Sequence, residues 1–348
     1  MISITQENDF DFMGSAYADL FEQADATAFQ CPAWLDAFYR DLARESGAEP
    51  VIITLRSKGD LLGVVPLIRR RLRGVSIVEA TDLGVSDYAC PVLHRSALQS
   101  LSDERGLVKS LRNAIGRVDI LRVRPVLPEH LAAWNLLLGC KEEPLDFSAH
   151  AVALQPPYQE WRKANIDRSL SGMIARKGKR WKKQHAVSLE RLQDPQSASL
   201  AIQTLARLRQ GRFEGDPIQT EPVMDFYASV AATGCQTGEA ETWMLSSDGE
   251  IAAVLFGLTH KGRFLYLLIG ADYDGFARHS PGLVLYDWII EDWMERGGTS
   301  FDFTIGDEPF KAKFGTSASK MSMYLEANSL LGKLVLNLFG AKLRRENG

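Results

Sequence analysis

The chain has 348 residues, of which 45% are hydrophobic and 24% are charged, and its formal net charge is −4. These values are ordinary for a soluble globular protein of one or two domains. The charge excludes a wholly basic nucleic-acid binder, although it leaves room for a local basic patch. No apolar run reaches the roughly 18 residues that a transmembrane helix needs, and the polar N-terminus lacks a signal-peptide pattern. The expectation is a cytoplasmic protein.

Metal and disulfide motifs are missing from the sequence. The four cysteines are far apart and have no C-x-x-C spacing, and the histidines have no H-x-x-H or H-E-x-x-H spacing. Neither G-x-S-x-G nor G-x-x-x-x-G-K-[ST] occurs. The sequence therefore predicts reduced cysteines and no metal site.

The first half alternates short apolar runs with turn residues and two helical patterns. Lys58-Gly59-Asp60 is a hairpin signal between the first two runs. The predicted elements are a helix over 27–45, strands at Val51–Leu55, Leu61–Leu67 and Val75–Val78, a loop over 82–88, a helix over 103–116 and a strand at Ile120–Val123.

The same order of elements recurs in the second half. Two strands meet at Asp248-Gly249, and a third strand follows Lys261-Gly262. A loop over 270–282 then opens a helix, and the next strand carries Phe301-Asp302-Phe303. This order predicts an internal repeat. Because side-chain identity between the halves is weak, coincidence is the alternative.

Residues 155–235, between the halves, read as mostly helical and contain the basic segment 176–183. Its lysines and arginines suit an anionic acceptor, RNA or anionic lipid. A solvated helix face is the commoner explanation of such a run.

The tail, 330–345, is apolar on one side and basic around it. It is predicted to be an amphipathic helix that either touches a membrane surface or docks on its own domain. The apolar residues are Leu331, Leu334, Leu338 and Leu343, and the basic ones are Lys333, Lys342, Arg344 and Arg345.

A set of short segments, in order along nearly the whole chain, resembles the doubled members of the GNAT acyltransferase superfamily. These members are the CelD-type acetyltransferases of cellulose and exopolysaccharide biosynthesis and the Fem aminoacyltransferases. The segments are 29–34, 63–67, 86–88, 251–253, 280–282 and 301–314.

This resemblance implies an α/β (α+β) fold with two tandem GNAT-like domains, each a mixed, largely antiparallel sheet flanked by helices. The expected divisions are an N-terminal GNAT-like domain, a helical connecting region packed on the C-terminal domain, a C-terminal catalytic core and an amphipathic helix, at 1–150, 151–235, 236–328 and 329–348.

The resemblance also implies an acyl-CoA-dependent N-acyltransferase with acetyl-CoA as the expected donor. The implied acceptor is an amino sugar, a sugar nucleotide or a lipid-linked precursor of exopolysaccharide or cell envelope. Typical GNAT members carry Q/R-x-x-G-x-G/A at the pyrophosphate loop, whereas this chain reads Arg278-His279-Ser280-Pro281-Gly282-Leu283. A Fem-like use of aminoacyl-tRNA and a non-catalytic scaffold are the alternatives. The long helical hairpin of several Fem enzymes is not visible, so nucleic acid is not the expected partner.

The start of the helix after the 270–282 loop is the predicted donor site. Pro281 suits a first helical turn, Gly282 leaves room for a ligand, and free N–H groups there favour an anion. An ordinary loop-to-helix junction is the alternative. The predicted donor-binding residues are Ile269, Gly270, Arg278, His279, Ser280, Gly282 and Leu283.

Acyl transfer to an amine requires a base, oxyanion donors and a proton for the leaving thiolate. Asp302 and Glu308 are candidates for the base and Tyr266 for the acid, although Asp302 also suits a loop-capping carboxylate and Tyr266 a core tyrosine. Asp87 and Tyr88 are predicted to bind the substrate at a cleft where the halves of a doubled fold face one another, with a structural turn as the alternative. Lys311 and Lys313 are predicted to hold a phosphate of the acceptor, and Arg212 is also a predicted substrate-binding residue.

Overall fold

The computed structural model describes residues 2–345 and divides the chain into two compact units. Unit 1 contains the residues up to Ser148 and the chain from Ser319 onward, and unit 2 is Ala149–Ala318. The first division lies close to the predicted boundary after residue 150. The expected core of 236–328 needs correction at its end, because residues from Ser319 return to unit 1.

The strands are short to medium in length, and most are joined by tight turns. In chain order they are β1 (Ile2–Glu7), β2 (Glu49–Ser57), β3 (Asp60–Leu72), β4 (Val75–Ala80), β5 (Val92–Leu93), β6 (Ile120–Val126), β7 (Glu143–Ala153), β8 (Val187–Leu192), β9 (Ala240–Ser247), β10 (Glu250–His260), β11 (Arg263–Ala271), β12 (Ser300–Ile305) and β13 (Ser317–Ala327).

The helices fill the connections. They are α1 (Ser15–Gln23), α2 (Pro32–Ala37, continued by a π-helical turn over Phe38–Ala43), α3 (Ala97–Ser102), α4 (Leu107–Ile115), α5 (Leu131–Leu138), α6 (Tyr158–Asn165), α7 (Arg168–Gln184), α8 (Pro195–Arg209), α9 (Glu221–Thr237), α10 (Tyr273–Phe276), α11 (Pro281–Glu295), α12 (Pro309–Lys313) and α13 (Leu330–Arg345). Within residues 2–345, no helix has the length and apolar content needed to cross a bilayer.

Unit 1 contains a sheet with the strand order β1-β2-β3-β4-β6-β13. Neighbouring strands are antiparallel except β4 and β6, which run parallel, and residues 322–327 of β13 pair with β6. Its core lies under α4 and α5, where Leu111 and Trp134 pack with Val51 and Val65 of the sheet.

Unit 2 repeats this plan with the strand order β7-β12-β11-β10-β9-β8, and only β11 and β12 run parallel. Helices cover both faces of its sheet. Because successive side chains of a strand point to opposite faces, neighbouring residues of one strand contact different helices. Leu255 of β10 packs in a core with Ile289 of α11, and its neighbour Phe256 contacts Tyr227 of α9.

The structure confirms the predicted repeat in element order. In unit 1 the hairpin strands β2 and β3 lead to β4, and in unit 2 the hairpin strands β9 and β10 lead to β11. After the helices that follow, β6 runs parallel to β4 and β12 runs parallel to β11, each through three residue pairs. The tight turns form where they were predicted, since Asp248, Gly249, Lys261 and Gly262 all adopt the positive φ that such turns require. Strand β8, within the region predicted to be mostly helical, was not expected.

Candidate active site

Strands β11 and β12 of unit 2 run side by side only at their beginnings. Their parallel pairing ends at Leu265 opposite Asp302, although β11 continues to Ala271 along β10. The residues of β11 before this point are largely buried, whereas the following four, 266–269, are half-buried. The two strands therefore diverge beyond Leu265, and this point of divergence is called the slot below.

The separation begins at an irregular residue in β12. Thr304 has a φ of 57°, and its N–H donates to the Asp302 carboxylate over 2.8 Å. The hydroxyl of Thr304 donates to the Tyr266 carbonyl over 3.2 Å. Asp302 is 3% exposed and lies 4.0 Å from Arg263. The buried Asp302 carboxylate caps the irregular backbone, as the alternative interpretation expected, and its role as a general base stays a prediction.

Replacing Asp302 with Ala is therefore expected to lower the free energy of unfolding by about 1–3 kcal/mol, since the Thr304 N–H would lose its acceptor. Asp302→Asn retains an acceptor oxygen and is expected to cost less. Urea unfolding measures both variants, with the exposed Asp225→Ala of α9 as control. A normal stability combined with lost activity in Asp302→Ala would instead assign a catalytic role.

Two tyrosines line the slot just beyond the last strand pair. The rings of Tyr266 of β11 and Tyr286 of α11 meet edge to face at 4.9 Å between centroids. Burial raises the pKa of Tyr266 to about 12, and its hydrogen bond with Tyr286 opposes that rise. Burial likewise raises the pKa of Tyr286 above its ordinary range. Both phenols are neutral proton donors near pH 7.

Glu308 and Lys311 form an ion pair at the loop after β12. The ammonium of Lys311 lies 2.9 Å from the Glu308 carboxylate and donates to the Ile305 carbonyl over 2.6 Å. Lys311 is 2% exposed and braces the loop from inside, and its role as a phosphate ligand stays a prediction. Glu308 is mostly exposed, and its charge contributes to the raised pKa of Tyr266. Lys313 is exposed and remains a prediction.

Helix α11 begins beside the slot without a side-chain cap. Ser280 precedes Pro281 in the left-handed conformation, and its hydroxyl accepts from Lys177 of α7 over 2.6 Å. A Cβ on Gly282 would lie 2.9 Å from the Tyr273 hydroxyl. The first turn of α11 therefore lies near the Lys177 ammonium and the Tyr273 phenol. Together with the free N–H groups of that turn, they form an environment that favours an anion.

Arg278 and His279 anchor the loop to α7 and do not line the slot. His279 is buried, stacks on Trp181 at 4.6 Å between centroids, and accepts from Arg278 Nε over 2.8 Å. Arg278 also bonds to His185 at 3.0 Å. Burial, followed by the nearby Arg278 charge, lowers the pKa of His279. These contacts anchor the loop, and the predicted donor contacts of Arg278 and His279 stay a prediction.

Two arginines at the end of α8 reach the edge of β11. Arg209 donates to the Ile269 carbonyl over 3.0 Å, and Arg212 donates to the Ala271 carbonyl over 3.1 Å. Gly270 lies between them and packs tightly on α8, where an added Cβ would be 2.5 Å from the Leu205 carbonyl oxygen. The carbonyls of Ile269 and Ala271 therefore position these arginines, and Gly270 lets α8 approach β11 closely.

An open, polar cavity of about 450 Å³ adjoins this corner. The Arg212 guanidinium forms one wall and lies 4.0 Å from the Tyr273 ring centroid. Since Tyr273 also reaches Gly282, the cavity and the start of α11 share one border. The lining residues are Arg207, Leu208, Gln210, Arg212, Ala271, Asp272, Tyr273 and Asp274.

Comparison with known proteins shows which protein family unit 2 is similar to. Residues 168–312 match the family model of the Acetyltransferase (GNAT) domain. These residues, which lie in unit 2, are similar to the acetyltransferase domain of the GNAT family. The search of curated proteins returned no significant match.

Solved structures agree with a tandem GNAT fold over nearly the full chain. FemX has a TM-score of 0.65 at 12% identity, covering 96% of this chain and 99% of that one. L-PGS from Bacillus licheniformis has a TM-score of 0.57 at 12% identity, covering 99% of each chain. A tandem GNAT protein of the clavulanic acid biosynthesis pathway has a TM-score of 0.50 at 12% identity, covering 94% of this chain and 99% of that one.

In the first GNAT-like unit, the predicted substrate residue Tyr88 lies in the core. Its side chain is fully buried against Phe29 at 5.5 Å between centroids, and its carbonyl accepts from Gln30 over 2.9 Å. The side chain of Tyr88 is thus corrected to a core role. Asp87 is half-buried and stays a prediction.

Three residues of the GNAT site in unit 2 were not identified from the sequence. Tyr286 follows Gly282 by one helical turn, so helical spacing could have placed it on the face of α11 that looks at the slot. Arg209 was noted only as a basic residue near a helix end, and Tyr273 only as part of a loop. Their contacts join segments about 60 residues apart, which local patterns do not reveal.

Proposed function

We propose that unit 2 transfers an acyl group from an acyl-CoA, with acetyl-CoA as the expected donor, to an amine. The slot between β11 and β12, with the uncapped start of α11 beside it, carries this proposal. An extended thioester arm fits between two strands that separate after Leu265. Its diphosphate would lie at the first turn of α11, at Gly282 and Leu283.

The charges around that turn fit a diphosphate. On one side of the turn, Lys177 donates to the Ser280 hydroxyl. On the other side, Arg207 and Arg212 line the cavity. Gly282 has no side chain, and the Tyr273 hydroxyl lies in the space beside it, where it could donate to a phosphate oxygen. These cations complement the partial positive charge of the helix start.

Glu308 and Tyr266 supply the proton transfers. Glu308 would accept a proton from the acceptor ammonium, because its carboxylate is exposed at the loop after β12. The amine then attacks the thioester carbonyl, and the C–S bond breaks. Tyr266, hydrogen-bonded to Tyr286 and with a pKa raised to about 12, would give its proton to the departing thiolate. Its phenolate would then take up the proton that the nitrogen of the new amide loses.

The acceptor is proposed from the family resemblance. CelD-type members suggest an amino sugar, free or carried by a nucleotide or lipid, in exopolysaccharide or cell-envelope assembly. An exposed carboxylate at the slot suits such an acceptor, since it attracts the ammonium before deprotonating it.

A second candidate donor is aminoacyl-tRNA, and α7 provides the observation that favours it. Lys177 and Lys182 are engaged with Ser280 and the Trp288 ring. The other basic residues of the segment are exposed and spaced at one helical turn, so they form a positive stripe suited to phosphate contacts. They are Arg176, Lys179, Arg180 and Lys183.

Acetyl-CoA is expected to raise the Tm of the protein, and Arg212→Ala to weaken its binding about 10-fold, because a charge-assisted hydrogen bond contributes roughly 1.5–3 kcal/mol. Calorimetry measures both, with the exposed Arg168→Ala as control. If acetyl-CoA neither binds nor raises Tm, the CoA donor is wrong. Transfer-RNA binding that weakens steeply with salt and is lost in Arg180→Ala with Lys183→Ala would then support the second candidate.

A further inference from the structure

Helix α13 of unit 1 presents a row of large apolar side chains to solvent. Leu330, Leu334 and Leu338 are 86%, 55% and 66% exposed and lie four residues apart, on one face of the helix. Leu331 and Phe339 widen the row, at 43% and 54% exposed. Monomeric proteins rarely leave so many adjacent apolar side chains in water, so such a patch marks an interaction surface.

The opposite face of α13 holds the helix on unit 1. Gly332 lies against the sheet, where an added Cβ would be 2.1 Å from the Asp119 carbonyl oxygen. The Asp119 carboxylate accepts from Ser329 at the helix start. At the other end, the Leu343 carbonyl accepts from the buried Arg122 and Arg124 at 3.4 and 3.5 Å. The helix is thus already formed, with its apolar row fixed outward.

The charge of residues 330–345 indicates which kind of partner binds the apolar row of α13. Residues 330–345 contain four basic residues and no acidic residue, whereas the whole chain has a net charge of −4. Lys333 is exposed beside the apolar row. A second copy of the helix would bring like charges together, which disfavours a homodimer through this face. An anionic bilayer surface satisfies both the apolar row and the positive charge.

We propose that α13 is a membrane-surface helix that binds unit 1 to anionic lipid. Leu330, Leu334 and Leu338 would enter the boundary between headgroups and acyl chains, and Lys333 would attract the lipid phosphates. This proposal is independent of the donor used by unit 2. The sequence left two possibilities for this helix, contact with a membrane surface and docking on its own domain. Under the proposal both hold, because α13 docks on unit 1 with one face and binds lipid with the other.

Flotation of the full chain with lipid vesicles tests the proposal. Binding is expected to vesicles of equimolar phosphatidylcholine and phosphatidylglycerol, to weaken as salt rises, and to be at least about 10-fold weaker with phosphatidylcholine alone. Leu334→Ser with Leu338→Ser, and separately Lys333→Glu, are expected to lower it to a similar degree. Leu200→Ser of α8 is the matched control, because Leu200 is also a half-exposed leucine, at 52%.

Three outcomes would overturn the proposal. One is no binding to the anionic vesicles, and another is binding that the α13 variants leave unchanged. The third is a dimer, seen by analytical ultracentrifugation, that dissociates in the leucine variants, which would assign the apolar row to a second copy. Circular dichroism and Tm establish that each variant is folded, and exposed substitutions of this kind rarely change stability by much.

Discussion

Tyr266→Phe is expected to lower kcat about 100-fold while leaving KM for acetyl-CoA nearly unchanged. Its hydroxyl lies where β11 and β12 separate and is held by Tyr286. A positioned general acid contributes roughly 10²–10⁴-fold to a rate, and removing the oxygen leaves the thiolate to take its proton from water. Because the acyl-CoA does not depend on this hydroxyl for binding, the loss should fall on kcat.

Release of free thiol from acetyl-CoA, followed with a set of amino sugars and their nucleotide-linked forms, provides the rates. Tyr227→Phe is the matched control, since Tyr227 is a buried tyrosine of α9 against Phe256. Tyr286→Phe is expected to have a smaller effect, because Tyr286 acts on Tyr266 and not on the thiolate. A kcat within twofold of the parent for Tyr266→Phe would remove it from the mechanism.

Arg162→Ala is expected to destabilise unit 2 by about 3–5 kcal/mol, the usual cost of leaving one partner of a buried ion pair alone. Arg162 of α6 lies 2.8 Å from the Asp287 carboxylate of α11, and Asp287 is 4% exposed. The same guanidinium donates to the Ser171 hydroxyl of α7 over 2.6 Å. The pair therefore fixes three helices around the start of α11.

Denaturant unfolding of the single and double variants separates charge from packing. Arg162→Met combined with Asp287→Leu is expected to recover much of the lost stability, because no unpaired charge stays buried. A loss below about 1 kcal/mol in Arg162→Ala would mean that water or a neighbouring group satisfies Asp287. That result would contradict the role assigned to the pair.

The sequence predicts elements well where the signal is local. Pro281 marks the first residue of α11, and the turn residues around Gly249 and Gly262 separate β9, β10 and β11 as expected. These signals are properties of the backbone, since proline lacks an N–H and glycine tolerates a positive φ. The strand that carries Asp302 was likewise predicted, and it forms as β12.

Side-chain roles at the site were less predictable because they depend on distant partners. Lys311 resembles a surface lysine in the sequence, yet the Ile305 carbonyl and Glu308 hold it inside. Asp287 belongs to a polar row of α11 and is nevertheless buried, because Arg162 from another helix neutralises it. The charge pattern alone does not reveal such pairs.

The return of the chain to unit 1 has a consequence for synthesis. Strand β6 pairs with β4 on one side, but its other edge finds a partner only when residues 322–327 of β13 emerge from the ribosome, after all of unit 2 has been translated. Until then the nascent unit 1 has an open, apolar strand edge that invites aggregation or chaperone binding. A fragment that stops before residue 319 would carry this defect permanently, so the amino-terminal half should fold poorly when expressed by itself.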